Sequence, residues 1–167
     1  LANRRGFTQW KKKGLSLVSD GRIGAEKIVL VKPQNFMNKS GMPIADIVQF
    51  HRINPNDVFV FHDELDLAAG KMRVKNGGGH GGHNGLRDID RHLGVNYWRV
   101  RIGIGRPPHQ AMDVKAWVLA DFASDEQSSW LPDLLDAIAD EIERLCQRDD
   151  EGFMSRVAYL APAPSTE

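Results

Sequence analysis

The sequence predicts an α/β fold, a single domain in which a mixed, largely parallel twisted sheet is flanked by helices. Two observations predict it. Short runs of β-type residues alternate along the chain with segments whose apolar residues recur every three to four positions, the pattern of strands connected through helices. A length of 167 residues is ample for one core and short for two domains of ordinary size. The composition is that of a globular protein, with 41% hydrophobic residues and 16 glycines, which excludes a disordered or collagen-like chain. Lys plus Arg and Asp plus Glu each number 22, so the net charge is zero and any nucleic-acid site has to be local. The single cysteine, Cys146, has no intrachain disulfide partner. No apolar run approaches the ~18 residues of a membrane span. Both point to a reducing, cytoplasmic compartment.

The elements follow in order. Leu1 to Gly6 reads as the last turn of a helix, with Arg4 and Arg5 at the carbonyl end and Gly6 in the position after it, which implies chain upstream. Lys11-Lys12-Lys13 reads as a solvated turn. Leu15-Ser16-Leu17-Val18 and Lys27-Ile28-Val29-Leu30-Val31 are strand-like and flank Ser19-Asp20-Gly21, so a hairpin turning at those three residues is expected. Pro33 ends the second strand. Met42, Ile44, Ile47, Val48 and Phe50 have helical spacing after Ser40 and Pro43, giving a helix over about 41–52. Residues 57–62 form a continuous apolar run, the expected central strand. Residues 71–75 alternate as a strand with Arg73 and Lys75 on one face, and the glycine stretch 77–82 reads as a loop. A helix over 83–92 and a strand over 97–104 follow. Ser124 and Gln127 suggest a capping box, and Leu131, Leu134, Leu135, Ile138, Ile142 and Leu145 form the stripe of a long amphipathic helix. Residues 1–160 are expected to be the domain and 161–167 a flexible tail.

In such folds ligands sit beyond the carboxyl ends of strands, which draws attention to 33–38, 62–66 and 76–84. His62-Asp63-Glu64-Leu65-Asp66 fits a carboxylate orienting a histidine for proton transfer, and equally a capped charged turn. A zinc site is not supported, because His80 and His83 lack two further ligands nearby. The glycines carry neither nucleotide-binding signature. They allow close approach of a ligand to the backbone, with His83 and Asn84 at a helix start, or they make a plain loop. Asn38 and Asn84 have amides suited to a peptide group or a developing oxyanion. Asn38 fits an N-cap as well, with Phe36 and Met37 in the core. Arg73, Lys75, Arg99, Arg101 and Arg106 make a one-sided phosphate stripe or ordinary solvated charge.

Taken together, Phe36-Met37-Asn38-Lys39-Ser40-Gly41, His62-Asp63-Glu64-Leu65-Asp66-Leu67, Gly77-Gly78-Gly79-His80-Gly81-Gly82-His83-Asn84-Gly85-Leu86 and Arg99-Val100-Arg101-Ile102-Gly103-Ile104-Gly105 resemble the bacterial-type peptidyl-tRNA hydrolases in order and spacing, over about residues 14–160. The resemblance implies a monomeric esterase that frees tRNA by hydrolysing the ester between peptide and 3′-terminal ribose, with no metal or organic cofactor. On it, Asp63 orients the catalytic histidine, and Asn38 and Asn84 hold the peptide and steady the reacting carbonyl or water. Phe36, Met37 and His83 line the peptide cleft. Arg73, Lys75 and Arg101 contact the tRNA. The family's general base lies in an Arg-His-Asn segment after an opening strand. None of His51, His62, His80, His83, His92 and His109 occupies that position. The resemblance therefore implies that an opening segment of about 30 residues, with the first strand, is absent. The alternative is a non-catalytic relative that binds tRNA or a protein.

Overall fold

A computed structural model describes residues 1–109 and 111–165. They form two compact units, the first made of residues 1–60 and 75–99 and the second of 61–74 and 100–167. Residues 166–167 of the expected tail lie outside the described residues.

The first unit opens with an antiparallel meander of β1 (Lys11–Lys13), β2 (Ser16–Ile23) and β3 (Glu26–Pro33). Its hairpins turn at Gly14-Leu15 and Gly24-Ala25, where both glycines have positive φ. The expected turn at Ser19-Asp20-Gly21 is therefore corrected: these residues lie inside β2, with Asp20 opposite Val29 and Gly21 opposite Ile28. The glycine is needed there because the Phe7 ring lies 2.5 Å from where its Cβ would be. Ser19 is held by a hydrogen bond from its hydroxyl to the Thr8 carbonyl. The three lysines of β1 form an edge strand instead of a turn, and Lys13 Nζ sits 3.1 Å from the centroid of the Phe50 ring.

A 3₁₀ turn (Met37–Lys39) leads into α1 (Gly41–His51), close to its predicted bounds, and α1 packs on α2 (Asn84–Leu93). Ser40 does not cap α1 with its side chain. Asp88 of α2 does so from outside, its carboxylate accepting the Gly41 N–H at 2.7 Å. Leu86, Ile89 and Tyr97 form a buried cluster here, packed by Ile44, Val58, Val60 and Leu93.

The second sheet contains β4 (Phe59–Glu64), β5 (Met72–Asn76) and β6 (Trp98–Gly103) in the order β4-β6-β5. The amides of Trp98 and Ile104 donate to the carbonyls of Val58 and Glu64, so β4 and β6 run parallel. Gly77 donates to Tyr97 and Gly103 to Lys71, so β5 and β6 run antiparallel, with Arg73 opposite Arg101 and Lys75 opposite Arg99. The fold is mixed α/β as predicted, but only one of the four strand pairings is parallel. Two-residue turns between β1, β2 and β3 permit no other direction. The central strand of this sheet is β6, not β4.

In the second unit, α3 (Val114–Leu119) and α4 (Ser124–Ser128) precede α5 (Trp130–Cys146) and α6 (Asp150–Leu160). The box at α4 runs from Glu126, whose carboxylate accepts the Ala123 N–H at 3.0 Å, and not from Gln127. Leu134, Ile138, Ile142 and Leu145 of α5 are buried as the stripe predicts, while Leu135 is exposed. Phe153 and Val157 of α6 complete this core, and Ala161 is buried beyond it.

Candidate functional site

Side-chain hydrogen bonds shape the first cluster of site residues. The Ser40 hydroxyl donates to the Met37 carbonyl at 2.9 Å, and the Asn35 amide donates to the Lys39 carbonyl at 2.5 Å. The 3₁₀ turn is thus closed by its neighbours, and Asn38 is left exposed at its middle. Phe36 and Met37 are not core residues. They are 80% and 53% exposed, more than folding alone accounts for in a neighbouring pair of large apolar side chains.

The same turn packs on the start of α2. His83 is the N-cap of that helix, its Nδ1 accepting the Leu86 N–H at 3.2 Å. With that lone pair engaged, the neutral ring carries its proton on Nε2 and presents a donor. Asn84 follows as the first helical residue and is exposed. Gly85 makes the juxtaposition possible, since a Cβ there would stand 2.7 Å from Met37 Sδ and 2.9 Å from His83 Cε1. The first unit therefore brings Met37 and His83 together, with Asn38 on the turn and Asn84 beside the cap. An apolar surface next to two amides suits a peptide.

Asp63, Arg73 and Arg101 belong to the second unit, where Asp63 is half-buried near the end of β4. Its neighbour Glu64 points to the opposite face and accepts from Arg101 Nε at 2.9 Å. The Asp63 carbonyl lies 2.7 Å from His62 Nδ1. Arg73 and Lys75 share the exposed face of β5, while Met72 and Val74 are buried. One member of the proposed stripe is corrected. Arg99 is only 2% exposed and pairs with Asp90 at 3.0 Å, whereas Arg106 stays exposed in a surface pair with Asp66. Sequence reasoning missed Glu64 as the partner of Arg101, and it missed Gly85 as the spacer between Met37 and His83. A glycine in the first turn of a helix is the signal that could have exposed the latter, because it costs helix stability without a compensating need. Among the described residues no group of three His, Cys, Asp or Glu side chains could hold a metal ion, and no helix is long and apolar enough to cross a membrane.

Fold and clusters define a mixed α/β protein with exposed apolar side chains and two exposed asparagines about a helix start, and a basic strand face. Comparison with known proteins makes this specific. Residues 1–165 match the family model for peptidyl-tRNA hydrolase, and the chain belongs to that family. The chain is 48% identical over 164 residues to the peptidyl-tRNA hydrolase of Rhodospirillum centenum, with 98% of this chain and 71% of that one aligned. It is 50% identical over 167 residues to that of Chelativorans sp., with 100% and 69% aligned. A crystal structure of peptidyl-tRNA hydrolase from Acinetobacter baumannii superposes with a TM-score of 0.85 at 36% identity, covering 97% of this chain and 82% of that one.

Proposed function

We propose that this protein hydrolyses the ester joining a peptide to the 3′-terminal ribose of tRNA and so returns the tRNA to use. Family membership supports the reaction, and it disfavours the non-catalytic alternative. The observation that carries the site is the exposed pair Phe36 and Met37 next to Asn38, His83 and Asn84 around Gly85. Here Phe36, Met37 and His83 bind the peptide. The amides of Asn38 and Asn84 donate to the carbonyl oxygen as negative charge develops on it. An imidazole takes a proton from the attacking water, and Asp63 accepts from the other ring nitrogen to hold the required tautomer. His83 is assigned to the cleft and not to this role, because its Nδ1 already caps α2. Arg73, Lys75 and Arg101 bind phosphates of the tRNA. Residues 1–160 act as one domain, in a cytoplasmic monomer that needs no cofactor.

The test is Asp63→Asn in the natural gene product, with release of an N-blocked aminoacyl group from tRNA as the readout. The reading expects kcat to fall by about 10²–10⁴-fold while affinity for uncharged tRNA is kept. Unchanged kcat would remove Asp63 from the mechanism.

A further inference from the structure

We propose that Arg99 is a positioning residue for this reaction, its guanidinium pinning the root of the glycine loop to α2 and thereby setting where His83 and Asn84 stand. The proposal rests on the reading above, which places those two residues against the substrate. Residues 77–82 contain five glycines, four of them with positive φ. At Gly79, Gly81 and Gly82 an added Cβ would meet nothing within 4 Å, so close packing does not hold this loop in place. Such a chain has more conformations to lose than any other of its length. It is held at its two ends. At the far end His83 caps α2.

At the near end stands Arg99. Its Nη2 donates to the Gly78 carbonyl at 2.7 Å and to Asp90 Oδ1 at 3.0 Å, and its Nη1 donates to the Val95 carbonyl at 3.2 Å. The Tyr97 hydroxyl donates to the same Asp90 oxygen at 2.8 Å, and the guanidinium carbon lies 4.1 Å from the Tyr97 ring centroid. Gly77 adds its N–H to the Tyr97 carbonyl. One planar cation thus ties the first turn of the loop, the strand β6 and the middle of α2 to one another. Arg suits this because its fork reaches several acceptors in fixed directions, whereas a lysine offers one compact head. A buried guanidinium is tolerated only when it is paired and hydrogen-bonded, and Asp90 and the carbonyls supply partners for both Nη groups, Nε alone being buried without one among the described residues. Since small displacements of binding groups are costly to rate, loosening this root should slow the reaction without touching tRNA affinity.

The experiment is Arg99→Lys in the natural gene product, a change that keeps a cation beside Asp90 but, one bond shorter and without the fork, cannot hold Gly78, Asp90 and Val95 together. We expect kcat on N-blocked aminoacyl-tRNA to fall about tenfold or more, with affinity for uncharged tRNA unchanged. Amide exchange at residues 79–84 should rise about tenfold or more while exchange in α5 does not, which separates an anchor from a general loss of stability. A folded variant with unchanged kcat overturns the positioning role, and unchanged loop exchange overturns the anchor. If the variant fails to fold, the unaltered protein decides. Its Arg99 Nη protons should give separate, slowly exchanging NMR signals close to the Gly79 amide, and averaged signals would overturn the proposal. If the natural protein hydrolyses nothing, the proposed function falls, while loop exchange and the Nη signals still decide the anchor.

Discussion

Removing the cations of β5 should weaken tRNA binding by an amount that the charge pairing on the sheet already sets. Arg73 and Lys75 are exposed, and among the described residues no carboxylate lies within 4.0 Å of either. Arg101, opposite Arg73, is partly neutralised by Glu64 at 2.9 Å, and Arg99, opposite Lys75, is buried against Asp90. The stripe thus offers two free cations and a compensated third. Each cation that neutralises a duplex phosphate contributes about 0.9 to the slope of log affinity against log salt, so the double variant Arg73→Gln/Lys75→Gln should lose about 1.8. Between about 50 and 200 mM salt, that slope corresponds to a roughly 12-fold change in affinity. Arg101→Gln should lose less than about 0.9, and Glu64→Gln, which frees Arg101, should steepen the slope by up to that amount. Fluorescence anisotropy of labelled uncharged tRNA across that salt range measures all four. An unchanged slope in the double variant, or a loss in Arg101→Gln as large as the double variant's, would refute the reasoning.

Three further outcomes are expected. In Gly41→Ala the new methyl runs into the Asp88 carbonyl where α1 meets α2, a backbone contact that cannot swing aside, and the urea midpoint should report a loss of about 1–3 kcal/mol. In Gly85→Ala the methyl displaces Met37 Sδ and the His83 ring, so kcat/KM for N-blocked aminoacyl-tRNA should fall about tenfold while Tm changes little, since alanine suits a helix better than glycine. Tyr97, fully buried and donating to Asp90, is held protonated well above the ordinary phenol range, first by burial and then by the Asp90 hydrogen bond. A pKa raised in the folded state gives stability that is complete below the unfolded value of about 10 and is lost as pH rises beyond it. Urea unfolding from about pH 9 to 11 should show this decline, and Tyr97→Phe should flatten it; an equal decline in both proteins would contradict the assignment.

Periodicity placed α1, α2, β5, β6 and the buried stripe of α5, because in each the side chains that alternate or recur also face a core. It failed where a residue answers to something distant. Gly21 looks like a turn residue, yet it lies in β2 because Phe7, far back in the chain, needs the space. Strand direction in the sheets depends on pairing partners, which alternation does not encode. The missed α6 did carry local signals: Asp149 accepts the Gly152 N–H, and Phe153 and Val157 are buried four residues apart. At the site, the motif residues Met37, Asn38, His83 and Asn84 were legible as a set because the turn and the cap that carry them are local structures. Arg99 was not. Its alternation with Arg101 looks like a solvated stripe, and only Asp90 on a helix one turn of fold away reveals it as buried.

The most decisive measurement follows release of an N-blocked aminoacyl group from tRNA by the natural gene product, with tRNA binding recorded in the same sample. The account predicts steady turnover that Asp63→Asn suppresses while the tRNA stays bound. Binding without turnover in the unaltered protein would contradict it and make the protein a carrier of tRNA, not a hydrolase.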